Sequence, residues 1–209
     1  MIQAERIKIL GDATALRGDY VLYWMQAAQR SQYNHALEYA IEQANRLGMP
    51  LGVVFCLVCD FPEANARHFA FMLEGLRETQ GALAERGIQM VILKEAPELG
   101  VPRIAKQAAL VVVDDGYLRI QRLWRRKVAA CLECPFVELG TNLIVPVELA
   151  SPKEDYSAGT FRPKINRQLG QYLVKLRHRK PRRDSLGFCF DSLCIQDIDR
   201  VLAHLDIDH

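Results

Sequence analysis

The feature that most constrains the fold is an unbroken apolar run, Tyr20 to Met25, inside the segment YVLYWMQAAQRSQYN. The run shows no alternation of apolar and polar side chains, which is typical of a strand covered on both faces. Such strands belong to parallel sheets that carry helices on either side. Because open α/β sheets bind ligands beyond the carboxyl ends of their strands, the residues that follow Met25 are predicted to face a binding site.

The rest of the chain alternates predicted strands with predicted helices, which is the pattern of βαβ units. The predicted fold class is α/β: a Rossmann-like five-stranded parallel sheet with helices on both faces, after an extended lead-in at residues 1–18. The predicted strands span 20–25, 51–57, 89–94, 110–113 and 136–139. The predicted helices span 31–47, 63–87, 101–109 and 119–132.

The pattern changes near residue 150, where the alternation loosens into SPKEDYSAGTFRPKI and then into short helices, the last at 195–205. We therefore predict an α/β domain over residues 1–150. Residues 151–209 are predicted to form an interdomain linker and helical tail, too small to build a second core by itself.

Several function classes lack their motifs. Half of the residues are apolar, no apolar run is long enough to span a membrane, and MIQAERIKIL does not resemble a secretion signal, so we expect a cytoplasmic protein. The sequence has no G-x-G-x-x-G after the first strand, no P-loop, no H-E-x-x-H and no G-x-S-x-G. We predict neither catalytic residues nor metal ligands in this chain.

Two cysteine pairs have the C-x-x-C spacing of zinc and redox sites, Cys56/Cys59 and Cys131/Cys134. Residues three apart in an extended strand point to opposite faces, so the first pair converges only if the chain turns sharply. We favour inert, buried thiols over a metal or redox centre.

Charge is distributed unevenly along the chain. Residues 162–183 hold nine Lys and Arg residues and no Asp or Glu, which leaves the rest of the chain net acidic. This stretch is either a solvated or acid-paired segment, which we favour, or a phosphate-binding surface.

Four blocks occur in a fixed order: YWMQAAQRSQYNHAL, RHFAFMLEGL (67–76), VDDGYLRIQRLWR (113–125) and EDYSAGTFRPKI (154–165). Together they resemble the amino-terminal half of the class II cyclobutane pyrimidine dimer photolyases, a family of light-driven DNA-repair lyases. The resemblance covers nearly the whole chain.

The resemblance implies an α/β domain that holds an antenna chromophore, often an 8-hydroxy-deazaflavin, followed by a helical domain that binds FAD and the DNA lesion. The chain stops at His209, about where that helical domain would begin. We therefore expect FAD only through a missing or separate domain, no repair by this chain alone, and only indirect contact with DNA. A FAD-domain partner or a homodimer is expected.

Candidate chromophore contacts lie at the carboxyl ends of the first and fourth predicted strands. They are Trp24, Met25, Gln29, Arg30, Asp114, Asp115, Tyr117 and Arg119. Aromatic and thioether groups suit the faces of a flat ring, Arg30 its negative charge, and the carboxylates its N–H groups. Alternatively, Trp24 and Met25 belong to the core, Arg30 pairs with a carboxylate, and Asp114 or Asp115 caps the following helix.

Two further hypotheses remain open. The chain is either a stand-alone module that binds a flavin-like or nucleotide ligand, or an interaction subunit whose basic tail holds an acidic partner.

Overall fold

Six strands form one mixed sheet in the computed structural model, which describes residues 2–208. The strands are β1 (Ile7–Leu10), β2 (Tyr20–Trp24), β3 (Leu51–Cys56), β4 (Gln89–Leu93), β5 (Ala108–Asp114) and β6 (Phe136–Leu139). The helices are α1 (His35–Leu47), α2 (Ala66–Glu85), α3 (Pro97–Ala105), α4 (Arg119–Ala129), α5 (Val147–Ala150), α6 (Ala158–Tyr172) and α7 (Ile198–Ala203). The order across the sheet is β1-β6-β5-β2-β3-β4. The α/β class and the five predicted parallel strands are confirmed.

The prediction of an extended lead-in and a five-stranded sheet is wrong in one respect, because β1 adds a sixth strand. It pairs antiparallel with β6, Ile7 opposite Leu139 and Leu10 opposite Phe136. The strand has only four residues and is partly exposed throughout, so its sequence carries no buried run. Its pairing depends on contacts with residues more than a hundred positions away.

Helix α1 shows why the first helix starts later than predicted. The Asn34 side chain accepts a hydrogen bond from the Leu37 N–H at 3.0 Å, so Asn34 caps the helix and residues 31–34 stay in the preceding loop. Gly48 ends the helix in the left-handed conformation at φ 68°. One face of the helix is buried in the core, with the side chains of Leu37, Ala40, Ile41 and Ala44.

Helices cover both faces of the sheet, as predicted. Helices α1, α2 and α7 pack with Val21 and Tyr23 on one face. Helices α3 and α4 pack with Tyr20, Leu22 and Trp24 on the other. Successive residues of β2 thus enter two different cores, which explains the absence of polar positions in this strand.

The tail after residue 150 packs against the same unit. Leu176 and Ile195 are buried in the core beneath α1 and α2. The backbone N–H of Ser185 donates to Gly87 O at 2.9 Å, and that of Leu193 donates to Ile92 O at 2.7 Å, so the tail covers the β4 edge. The domain boundary at residue 150 stays a prediction.

The six cysteines are free thiols in the described structure. Cys56 and Cys134 are buried, as predicted, but Cys131 is exposed and Cys59 is half-buried, so the expectation of buried thiols is wrong for these two. Residues 2–208 contain no cluster of three or more His, Cys, Asp or Glu side chains placed to hold a metal ion.

None of the described helices is long and apolar enough to cross a membrane.

Candidate functional site

The strand order creates a crevice between β2 and β5. From β2 the chain passes through α1 to β3 on one side, and from β5 it passes through α4 to β6 on the other. The connections therefore diverge beyond the carboxyl ends of these two strands, which is where open α/β sheets bind their ligands.

A cleft of about 420 Å³ opens at this point, and we call it the β2 cleft. One wall comes from the end of β2, with Trp24, Met25 and Gln29. The opposite wall comes from the β3–α2 loop and the start of α2. Helix α4 closes the cleft with Gln121 and Trp124. This size falls within the range of roughly 300–1,000 Å³ that is usual for small-molecule sites.

Aromatic and thioether groups line the mouth of the β2 cleft. Phe61 from the β3–α2 loop and Trp124 from α4 face each other with ring centroids 6.3 Å apart and a tilt of 52°. Met72 from α2 lies in the same lining. Such side chains bind flat aromatic ligands through their faces and edges.

The lining of the β2 cleft carries little charge. Its ionisable side chains, among the described residues, are Cys56, Glu63 and His68, and it includes no Lys or Arg. Burial raises the pKa of the Cys56 thiol to about 12, so this group is uncharged and unreactive at neutral pH. The described lining therefore supplies no Lys or Arg to pair with a phosphate group.

Asp114 holds the loop that forms the β2 wall. Its Oδ1 accepts hydrogen bonds from Tyr23 Oη and the Gln26 N–H, both at 2.8 Å. Its Oδ2 accepts from the Ala27 N–H at 2.6 Å and the Ala28 N–H at 2.8 Å. The residue is fully buried; burial raises the pKa of Asp114, and these four hydrogen bonds oppose that rise.

Asn34 extends this buried network. Its Nδ2 donates to Tyr23 Oη at 3.0 Å and to the carbonyl oxygens of Ala28 and Arg30 at 3.1 Å. Asn34 therefore caps α1 and fixes the loop before it. The wall of the β2 cleft is held from behind by polar groups that do not face the ligand space.

Two glutamines of the same loop differ in their availability to a ligand. Gln26 Oε1 accepts from Arg125 Nη1 at 2.8 Å, and Gln26 Nε2 donates to Gln121 O at 3.3 Å, so both ends of this amide are engaged. Gln29 has one long contact, from Nε2 to Gln26 O at 3.5 Å. Of the two glutamines, Gln29 is thus better placed to form hydrogen bonds with the edge of a ligand ring.

A second depression, of about 850 Å³, lies between α4 and the β1–β6 edge, and we call it the α4 groove. It contains three predicted site residues, Asp115, Tyr117 and Arg119. Asp115 accepts hydrogen bonds from Tyr117 Oη and from the Thr141 N–H, and the latter measures 3.2 Å. Arg122 and Arg126 line the groove beside Arg119, and all three arginines are exposed.

The predicted site residues therefore fall into three groups. Trp24, Met25 and Gln29 line the β2 cleft, although the first two are almost fully buried. Asp115, Tyr117 and Arg119 line the α4 groove. Arg30 and Asp114 line neither.

Arg30 is hydrogen-bonded to protein groups. Its guanidinium donates to Asn142 Oδ1 at 2.8 Å and to Thr141 O at 3.0 Å, which ties the β2–α1 loop to the loop after β6. In the described structure no carboxylate lies within 4.0 Å of Arg30, so the alternative of an ion pair is wrong. The helix-cap alternative for Asp114 and Asp115 is also wrong, because Leu118 occupies the N-cap of α4.

The sequence-based prediction missed Phe61 and His68 of the wall opposite β2, and Gln121 and Trp124 of α4. The predicted helix began at residue 63, whereas the chain first turns at Glu63, whose φ is 60°. The segment FPEAN carried a signal, because Pro62 and Asn65 mark a turn and a helix cap after a strand.

Comparisons with known proteins agree on one family. The model of the DNA photolyase family matches residues 21–183. The deoxyribodipyrimidine photo-lyase of Methanothermobacter thermautotrophicus is 54% identical over 187 residues, covering 89% of this chain and 42% of that protein. The Arabidopsis thaliana enzyme of the same name is 33% identical over 188 residues, covering 86% of this chain and 38% of that protein.

A solved structure shares the fold. The crystal structure of an archaeal photolyase from Sulfolobus tokodaii, described with two FAD molecules, superposes with a TM-score of 0.67 at 18% identity. The match covers 90% of this chain and 42% of that one. This chain thus spans less than half the length of these proteins.

Proposed function

This chain belongs to the DNA photolyase family, and from that premise we propose that it is the antenna-type α/β part of a class II photolyase. The ordered blocks from YWMQAAQRSQYNHAL to EDYSAGTFRPKI support the class. Because the chain spans less than half the length of its relatives, light-driven repair of cyclobutane pyrimidine dimers is proposed only for a complete assembly. In that assembly FAD is bound through a separate domain or partner.

We propose that the β2 cleft binds the antenna chromophore, a flat ring of the 8-hydroxy-deazaflavin type. The observation that carries this proposal is the cleft beside the β2/β5 switch point, whose described lining has no Lys or Arg and includes the adjacent rings of Phe61 and Trp124. Phe61, Trp124 and Met72 would contact the faces of the ring. Gln29 would bond its polar edge.

The bound chromophore would supply absorption of light and transfer of the energy to the flavin. The residues of this chain hold the ring, orient it and exclude water from it. Asp114 and Asn34 are positioning residues, because they fix the β2–α1 loop without facing the cleft. Asp115, Tyr117 and Arg119 have no contact with the ring in this proposal.

Homodimerisation and a cytoplasmic location, both expected from the sequence, stay predictions.

The proposal is tested by absorbance titration of the purified chain with 8-hydroxy-deazaflavin, riboflavin and FAD. We expect a red shift or sharpening of the deazaflavin band that saturates at one ligand per chain. Phe61→Ala should weaken binding by about tenfold, since stacking of one aromatic residue contributes on the order of 1 kcal/mol.

Tyr156→Ala is the matched control, because Tyr156 is a fully exposed aromatic residue outside the β2 cleft. It should leave the affinity unchanged. Absence of any saturable spectral change with all three ligands would refute the antenna proposal.

A further inference from the structure

The basic stretch of residues 162–183 is largely unneutralised in the folded chain. Of its nine Lys and Arg residues, Lys164 pairs with Asp155 at 2.7 Å and Arg179 with Glu42 at 2.6 Å. Within residues 2–208, the other seven have no carboxylate closer than 4.0 Å. The acid-paired interpretation therefore accounts for only two of the nine cations.

Part of this stretch is fixed to α1 by its backbone. The Arg179 N–H donates to Glu38 Oε2 at 2.6 Å, and the Arg182 N–H donates to Asn45 Oδ1 at 2.7 Å. Asn45 Nδ2 donates in turn to Lys180 O at 3.0 Å. Leu176 anchors the segment by burial in the core.

The anchoring leaves a row of cations in solvent. We call it the basic ridge: the exposed side chains of Lys175, Arg177, Lys180, Arg182 and Arg183. Because the backbone is already held, binding of a partner would cost side-chain rotamer freedom but little backbone freedom.

The carboxylates beneath the ridge do not cancel its charge. Glu38 is buried and pairs with Arg86 at 2.7 Å, and Glu42 pairs with Arg179. Asp184 is the acidic residue that directly follows the ridge. The five ridge cations therefore give a strongly positive surface.

We propose that the basic ridge binds the sugar–phosphate backbone of nucleic acid directly and without sequence preference. This departs from the sequence-based expectation that the chain meets DNA only indirectly. Residues 177–183 carry no apolar side chain besides Pro181, whereas protein interfaces usually contain an apolar core. A polyanion that offers regularly spaced phosphates fits such a row, and three of the five cations are arginines, which bind phosphate in two-pronged geometry.

The test measures anisotropy of a short, undamaged, fluorescein-labelled DNA duplex titrated with the 209-residue chain, from about 50 to 200 mM salt. We compare it with the triple variant Lys180→Gln, Arg182→Gln, Arg183→Gln, whose backbone contacts to Asn45 are retained. The control triple variant is Arg17→Gln, Arg67→Gln, Lys106→Gln, which removes the same charge from exposed positions outside the ridge.

We expect the ridge variant to bind at least about tenfold more weakly at the lowest salt. Its plot of log affinity against log salt should be flatter by roughly 2.7, because each lost phosphate contact removes about 0.9 from the slope. The control should keep the slope of the unmodified chain.

Three results would overturn the proposal. They are absence of duplex binding, equal losses in the two triple variants, and displacement of the duplex by polyglutamate as effectively as by unlabelled DNA. The last result would identify an acidic protein as the partner.

Discussion

The β2 cleft and the α4 groove are both lined by residues of α4, and they differ in where their charged side chains lie. Behind the wall of the β2 cleft, the Asp114 carboxylate is buried and hydrogen-bonded by protein groups, and Glu63 supplies the one carboxylate of the described lining. The groove instead presents Arg119, Arg122 and Arg126 to solvent. The cleft therefore offers mainly apolar and amide groups to a ligand, while the groove offers exposed guanidinium groups.

Two adjacent carboxylates, Asp114 and Asp115, support these two regions separately. Asp114 ends β5 and its side chain meets the loop at Gln26–Ala28, whereas Asp115 meets Thr141 and Tyr117 beside β6. Successive side chains of an extended chain point to opposite faces, so the pair serves two separate regions.

The largest expected effect is the loss of stability on Asp114→Ala. The substitution leaves Tyr23 Oη and three loop N–H groups without their acceptor in a buried site. We expect the free energy of unfolding, measured by urea denaturation, to fall by about 3 kcal/mol or more.

Asp115→Ala is the matched comparison. Asp115 is buried but accepts two hydrogen bonds rather than four, one of them from the exposed Tyr117, so the expected loss is smaller, about 1 kcal/mol. Equal losses for the two variants would show that the four hydrogen bonds to Asp114 contribute no more to stability than the two to Asp115.

A second prediction concerns the stability of the fold at acid pH and His35, which directly follows the β2–α1 loop. Burial, with Arg6 and Arg30 nearby, lowers the pKa of His35 to about 4 from its usual 6.5. The unfolded chain then takes up the proton first, so stability is full above pH 6.5 and is lost as the pH falls toward 4.

His35→Gln should remove this component. Between pH 7 and pH 4.5 we expect the variant to lose about 2 kcal/mol less stability than the unmodified chain, as read from urea midpoints at both pH values. Identical losses would show that His35 titrates normally in the folded chain.

The smallest expected effect is the change in affinity when the ligand carries a phosphate group. Because the described lining of the β2 cleft has no Lys or Arg, riboflavin and its phosphorylated form FMN should bind with affinities within about threefold. Arg119→Gln should change neither affinity. Much tighter binding of FMN, abolished by Arg119→Gln, would place the ligand in the α4 groove instead.

The sequence predicted the parallel strands well because their apolar runs are local. β2 to β6 begin and end within two residues of the predicted positions. β1 was not predicted because the four residues IKIL form no long apolar run and none of them is buried. They become a strand only by pairing with β6. Helix starts were less certain, as at α1, where Asn34 rather than an earlier residue provides the cap.

The site was only partly predictable. The rule that ligands bind at strand ends placed Trp24, Met25 and Gln29 correctly at the cleft. It could not distinguish Asp114 from Asp115, since their partners lie far away along the chain. Phe61 and Trp124 meet only in the folded chain, and neither follows the strand ends from which the site was predicted.

The central claim, that the β2 cleft binds a flat chromophore, is tested most directly by tryptophan fluorescence. Both tryptophans of the chain, Trp24 and Trp124, line this cleft. Titration with 8-hydroxy-deazaflavin should quench their emission saturably at one ligand per chain, and Phe61→Ala should shift the titration to about tenfold higher concentration. Absence of saturable quenching, or an unchanged midpoint in Phe61→Ala, would contradict the claim.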